Sequence, residues 1–123
     1  MARMNLLFVA DPLESFKTYK DTTFAMMREA EKRGHRISAC GPQDMRWLHG
    51  EGVTAQLRDI RLTGAADIWF EETGTGRRAL HAFDAVLMRK DPPFDTEFFY
   101  ATHLLEQAER EGARVFKDRK SVV

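Results

Sequence analysis

Apolar residues fall along this chain in two rhythms, short unbroken runs and stretches at helical spacing. Leu6-Leu7-Phe8-Val9-Ala10 is a continuous apolar run stopped by Asp11-Pro12, the pattern of a strand covered on both faces. From Thr22 to Gly34, Phe24, Met27 and Ala30 recur at helical intervals, which predicts an amphipathic helix. Asp21 stands where a carboxylate accepts from the free amides of the first turn. Lys32 and Arg33 suit the negative end of the helix dipole, and Gly34 supplies the stop. Arg36-Ile37-Ser38-Ala39-Cys40, ended by Gly41-Pro42, predicts a second strand. A strand-helix-strand unit of this kind expects parallel strands and a right-handed crossover.

The middle of the chain is less regular. Asp44-Met45-Arg46-Trp47-Leu48 reads as a single helical turn capped by Asp44, broken by Gly50 and Gly52. Val53, Ala55 and Leu57 alternate, and the alternation resumes out of phase at Ile60 and Leu62. The slip at Arg58-Asp59 predicts a bulge or bend. Ile68-Trp69-Phe70 is a short strand candidate and Gly74-Thr75-Gly76 reads as a turn. The segment is expected to be an antiparallel excursion from the sheet.

Clear patterning returns with a strand at Ala85-Arg89. Pro92 and Pro93 lack amide donors and hold their predecessors extended, so neither strand nor helix continues through them. Asp95 then caps a helix from Thr96 to Glu111, with Phe98, Thr102, Leu105 and Ala108 on one face. Gly112 closes it, and Ala113-Arg114-Val115-Phe116 makes a last strand. The fold class is α/β with a mostly parallel sheet: residues 1–116 form one domain, and 117–123 read as a polar tail or truncated boundary.

Composition narrows the function classes. At 123 residues the chain is long enough for one cored domain. Nineteen basic residues balance nineteen acidic ones, so no global field draws it to nucleic acid or an anionic membrane. No run approaches the ~20 apolar residues of a membrane span, and the amino-terminal apolar run is too short for a signal peptide. Cys40 is the single cysteine, which excludes an intrachain disulfide and suits a reducing cytoplasm.

Motif screening removes several chemistries. There is neither a Gly-x-Gly-x-x-Gly after the first strand nor a phosphate loop ending in Gly-Lys-Ser or Gly-Lys-Thr. His35, His49, His81 and His103 lack paired metal-ligand spacing and read as surface residues. Cys40 reads as a buried structural thiol, and Trp47 and Trp69 as core or interface residues.

Two places survive. At the first, Asp11 through Thr23, the helix amino terminus offers free amides and about half a positive charge to an anion, with Lys20, Thr22 and Thr23 as further donors. The alternative is that Asp21 merely caps the helix. The second is Arg89-Lys90-Asp91, behind a buried strand and ahead of two prolines. In open α/β sheets ligands gather at the carboxyl ends of strands. Arg89 can fork onto a carboxylate while Asp91 accepts from an ammonium group, which suits an amino-acid-like ligand. The alternative there is an internal ion pair on a rigid turn.

The string Leu87-Met88-Arg89-Lys90-Asp91-Pro92-Pro93-Phe94-Asp95-Thr96-Glu97-Phe98, continuing into Tyr100-Ala101-Thr102 and Leu105-Glu106, resembles the signature of bacterial glutathione synthetases. Asp11-Pro12 and Lys20-Asp21-Thr22-Thr23-Phe24-Ala25-Met26 resemble that family's amino-terminal segment, and the likeness runs from about Met4 to Phe116. The resemblance implies a Rossmann-like, three-layer pre-ATP-grasp domain that walls the peptide site of a cytoplasmic ligase. Such ligases join γ-glutamylcysteine to glycine with ATP and magnesium, through an acyl phosphate that the glycine amine attacks. It further implies that Asp11, Lys20, Asp21, Thr22, Arg89, Lys90 and Asp91 hold or orient the γ-glutamylcysteine or glutathione peptide.

The departure from the family is length. The phosphate-binding lysines, glycine-rich lid and metal carboxylates of the ATP-grasp domains have no counterpart in these 123 residues. The expected partner is therefore the remaining ATP-grasp domains of a parent chain, and the fragment alone is expected to bind no cofactor and make no glutathione. The alternative is a free-standing, non-catalytic α/β binding or oligomerisation module, a homo-oligomer with Phe98, Phe99, Tyr100 or Trp47 at a subunit contact.

Overall fold

The computed structural model of the chain describes residues 3–18, 21–65, 67–90 and 95–117. Apolar runs become strands and amphipathic stretches become helices in the order β1 (Asn5–Val9), α1 (Thr22–Lys32), β2 (Arg36–Cys40), β3 (Met45–Leu48), β4 (Gly52–Leu62), β5 (Phe70–Ala79), β6 (Ala85–Met88), α2 (Thr96–Arg110) and β7 (Val115–Lys117). One-turn 3-10 segments sit at Leu13–Ser15, Pro42–Asp44 and Leu80–Ala82. The sheet runs β3-β4-β2-β1-β6-β7, with β5 on the far edge of β4. Strands β2, β1, β6 and β7 are parallel, whereas β4 is antiparallel to β2, β3 and β5.

The sheet is the middle of three layers. Phe8 and Leu6 of β1 point to one side with Ile37, Ala39 and Ile60, where Met27 and Ala30 of α1 close the core. Leu7 and Val9 point to the other, with Val53, Ala55, Leu57 and Val86, under Ala101, Leu104, Leu105 and Ala108 of α2. Both faces of β1 and β6 are thus covered, which is why their sequences read as unbroken apolar runs. The α/β class, the parallel β1-α1-β2 unit and the antiparallel excursion all stand as the sequence predicts.

Several details differ. Asp44 does not open a helical turn: its Oδ2 accepts from the Gly41 amide at 2.7 Å, closing the 3-10 turn behind it. Met45–Leu48 then pairs antiparallel with residues 52–55 of β4. Gly74-Thr75-Gly76 is not a turn but the middle of β5, with Thr75 opposite Arg58 and Gly76 opposite Leu57. Long-range pairing overrides the local preference of glycine for turns. Only Phe70 of the Ile68-Trp69-Phe70 candidate lies in a strand. Trp69 is buried, stacked on Phe16 with centroids 5.3 Å apart, while Ile68 is exposed.

The phase slip in β4, where the sequence predicts a bulge or bend, coincides with a register shift in the β4–β5 pairing between Asp59 and Ile60. Val53, Ala55 and Leu57 belong to the core under α2, and Ile60 and Leu62 to the core under α1. The strand passes from beneath one helix to beneath the other, so its buried face changes sides. The register shift at Asp59/Ile60 places the extra residue, Thr73, on β5. In α2 the buried stripe is Ala101, Leu104, Leu105 and Ala108. Thr102 is only half-buried, and its hydroxyl donates to the Phe99 carbonyl at 2.6 Å. Trp47, on the edge strand β3, is half exposed.

Candidate functional site

The carboxyl ends of β1 and β6 lie side by side because Leu6–Val9 pairs in parallel with Ala85–Met88. The pairing runs one step beyond the strands: the Arg89 amide donates to the Val9 carbonyl at 2.7 Å. That register sets Asp11 and Lys90 across from each other. Lys90 Nζ lies 2.8 Å from Asp11 Oδ1, with about a quarter of each side chain accessible. Arg89 turns toward the start of α1, where its Nε donates to the Thr23 hydroxyl at 3.4 Å.

Asp21 is the N-cap of α1, and its Oδ1 accepts from the Thr23 amide at 2.9 Å and the Phe24 amide at 3.4 Å. Thr22 is the first helical residue and is exposed, whereas Thr23 is buried. The helix amino terminus and the Arg89-Lys90 segment, distant in sequence, therefore share one edge of the domain. Asp11, Asp21, Thr22, Arg89 and Lys90 all lie there, while Lys20 and Asp91 fall outside the described residues.

A cavity of about 420 Å³ opens beside the Asp11–Lys90 pair. Its other polar walls come from positions that sequence reasoning did not assign to a site: Gln43 and Asp44 after β2, Gln56 and Arg58 of β4, and Glu72 of β5. The forked guanidinium of Arg58 donates to both oxygens of Glu14, at 2.9 and 3.4 Å, and its Nε stands 3.8 Å from Glu72. The Arg58 hydrogen bond holds the Glu14 carboxyl below the usual carboxylate range, and the same bond raises Arg58. The signal for these residues lay in the alternation of β4. Gln56 and Arg58 are the polar positions opposite its apolar face before the slip.

Cys40 also lines the cavity, but it is buried, and desolvation pushes its thiol well above the ordinary range. It is a core residue at the site wall and no nucleophile. Among the described residues no group of three or more His, Cys, Asp or Glu side chains could hold a metal ion, and no helix is long and apolar enough to cross a membrane. What the cavity offers is a concave, mixed-sign surface, with cations at Arg58 and Lys90 and carboxylates at Asp11, Asp44 and Glu72, and Arg89 stands beside it at the start of α1. That chemistry matches a ligand carrying both carboxylate and ammonium groups.

Comparison with known proteins agrees with this architecture. The family model described as the N-terminal domain of prokaryotic glutathione synthetase matches residues 4–122. The chain is 47% identical to the glutathione synthetase of Neisseria meningitidis serogroup B and 49% identical to that of Ralstonia nicotianae, in each case over 97% of its own length. The Citrobacter rodentium glutathione synthetase is 40% identical over the same share. The chain spans 36% to 38% of the length of these relatives. With nearly every residue inside that match, the chain belongs to the prokaryotic glutathione synthetase family and corresponds to its N-terminal domain.

Proposed function

We propose that this domain forms one wall of the peptide site of a cytoplasmic glutathione synthetase, and that γ-glutamylcysteine is the ligand it helps to hold. The observation that carries the reading is the joint placement of Arg89, Lys90 and Asp11 at the carboxyl edge of β6 and β1, next to the α1 amino terminus. Arg89 and Lys90 answer the carboxylates of the peptide and Asp11 answers its ammonium group. Thr22, Lys20 and Asp91 complete the set, and Asp21 acts by fixing the first turn of α1. Glycine, ATP and magnesium belong to the parent enzyme, an ATP-dependent carbon–nitrogen ligase. On this reading the 123-residue chain by itself does not make glutathione.

Calorimetric titration of the chain with γ-glutamylcysteine and with glutathione tests the reading. Weak binding is expected, because one wall cannot supply the whole site, and Arg89→Ala should abolish it. The same change at the matching position of a longer relative should raise KM for the peptide by about tenfold or more, the worth of a charge-assisted hydrogen bond. Unchanged KM and kcat there would make the arginine structural and overturn the assignment.

A further inference from the structure

The loop from β1 to α1 supplies one wall of the cavity through Asp11, Pro12 and Leu13. The end of β1 is fixed, because the Ala10 amide donates to the Cys40 carbonyl at 2.9 Å. Beyond it, residues 12–16 fold into one tight turn. The Ser15 amide and hydroxyl both donate to the Pro12 carbonyl, at 2.9 and 2.6 Å, and the Phe16 amide donates to the Leu13 carbonyl at 3.1 Å. The joint between the fixed strand and this turn is Asp11. How the turn is seated therefore decides where the Asp11 carboxylate points.

Two kinds of contact seat it. Leu13 is buried and Phe16 stacks on Trp69 at 5.3 Å, and apolar contact of this kind has little directional preference. The directional contact is Arg58 with Glu14. Arg58 pairs with Ala39 of β2, on the face of the sheet that α1 covers. From there its two terminal nitrogens reach up to both oxygens of Glu14, at 2.9 and 3.4 Å. The guanidinium is itself braced, with its carbon 5.4 Å from the centroid of the Phe70 ring and its Nε 3.8 Å from Glu72. Glu14 thus occupies the fork that would otherwise grip a carboxylate of the ligand, and the arginine is left with a geometric task.

Resting on the peptide-site reading above, we propose that Arg58 is a positioning residue for the peptide. Its fork on Glu14 fixes the turn after β1 and so aims Asp11 at the ammonium group of the ligand. Two parallel hydrogen bonds from a planar guanidinium set both the distance and the rotation of the turn, which a single bond from a lysine would leave free. With the turn fixed beforehand, binding does not bear the cost of ordering it. Arg58 acts through Glu14 and Asp11, and Arg89 and Lys90 remain the cations that meet the peptide.

A thermodynamic cycle tests the proposal, read by NMR titration of the 123-residue chain with γ-glutamylcysteine. Arg58→Ala and Glu14→Ala should each weaken binding by about fivefold to tenfold, the cost of ordering a turn that is no longer pre-set. The double variant should bind as either single variant does, since both changes remove the same tie. Additive losses, or a loss with Arg58→Ala and none with Glu14→Ala, would put Arg58 on the ligand itself and overturn the positioning role. Arg33→Ala breaks an exposed ion pair with Glu29 in α1 and should leave binding unchanged. An equal loss there would reduce Arg58 to general stability. Glu14→Ala leaves β4 intact and decides the matter if Arg58→Ala fails to fold: binding at the parent's strength would refute the proposal. A parent chain that binds no peptide would sink the peptide-site reading and this role with it. A parent that binds, weakens with Arg89→Ala and ignores both Arg58→Ala and Glu14→Ala would sink the positioning role alone.

Discussion

Lys90 Nζ stands 2.8 Å from Asp11 Oδ1, joining the residues that follow β6 to those that follow β1 across the carboxyl edge of the sheet. The two side chains are about three-quarters shielded, so the pair is neither fully solvated nor a buried charge pair. Such contacts contribute on the order of 1 kcal/mol or less to stability. Lys90→Met, which keeps the apolar stem, should therefore lower the urea-derived stability by at most about 1 kcal/mol. If Lys90 faces the peptide, the same variant should weaken γ-glutamylcysteine binding by about tenfold in calorimetry. A large loss of stability with unchanged affinity would make the pair purely architectural.

Asp21 and Thr22 are neighbours with separable tasks. Asp21 caps α1 through the Thr23 and Phe24 amides, so Asp21→Ala should cost about 1 kcal/mol and lower Tm measurably. Thr22 is exposed, and Thr22→Ala should leave stability within about 0.5 kcal/mol. A contribution of Thr22 to the peptide site would appear only in the binding isotherm. Thermal melts and titrations of the two variants, side by side, distinguish cap from contact.

The parts of this fold that were legible in the sequence are those whose local pattern and tertiary role agree. Leu6–Ala10 reads as a strand and Asn5–Val9 forms one, and Asp21 and Asp95 read as caps and accept from helix amides. The middle failed where long-range pairing decided the outcome. Gly74 and Gly76 lie in a strand because β4 holds them there, whereas the slip at Arg58-Asp59, read as a bulge or bend, does meet a register shift at Asp59/Ile60 as the covering helix changes. The same applies to the site. Asp11 and Lys90 could be singled out as ends of apolar runs, but their contact depends on the β1–β6 register. Arg58 enters the cavity only because β4 crosses the carboxyl end of β2 in the antiparallel sense.

Gly52 is required for two reasons that can be separated. Its φ is +81°, and a Cβ there would stand 2.5 Å from Glu111 Oε1. Gly50 has a similar φ of +85° but nothing within 4 Å of the added atom. Gly50→Ala should show only the backbone cost, about 1 kcal/mol or somewhat more. Gly52→Ala should lose clearly more, because the Glu111 carboxylate must leave its hydrogen bond. Chemical denaturation of both variants checks the order. In a Glu111→Ala background the two glycine substitutions should become nearly equal.

Glu111 also makes stability depend on acid. Its Oε1 accepts from the Val53 amide at 2.8 Å and its Oε2 from the Gln107 side chain at 3.0 Å. The Val53 hydrogen bond is the principal cause that holds its carboxyl below the ordinary value of 4.5. A group whose pKa falls on folding binds more protons in the unfolded chain, so it stabilises the fold above its unfolded pKa. That contribution drains away as pH drops through the folded value. Glu14, lowered by Arg58, acts in the same sense. Glu111→Gln keeps an acceptor for the Val53 amide but has no charge to titrate. The stability gap between parent and variant in urea should be present at about pH 6 and shrink toward about pH 3. A gap that stays constant across that range would assign the effect of Glu111 to shape alone.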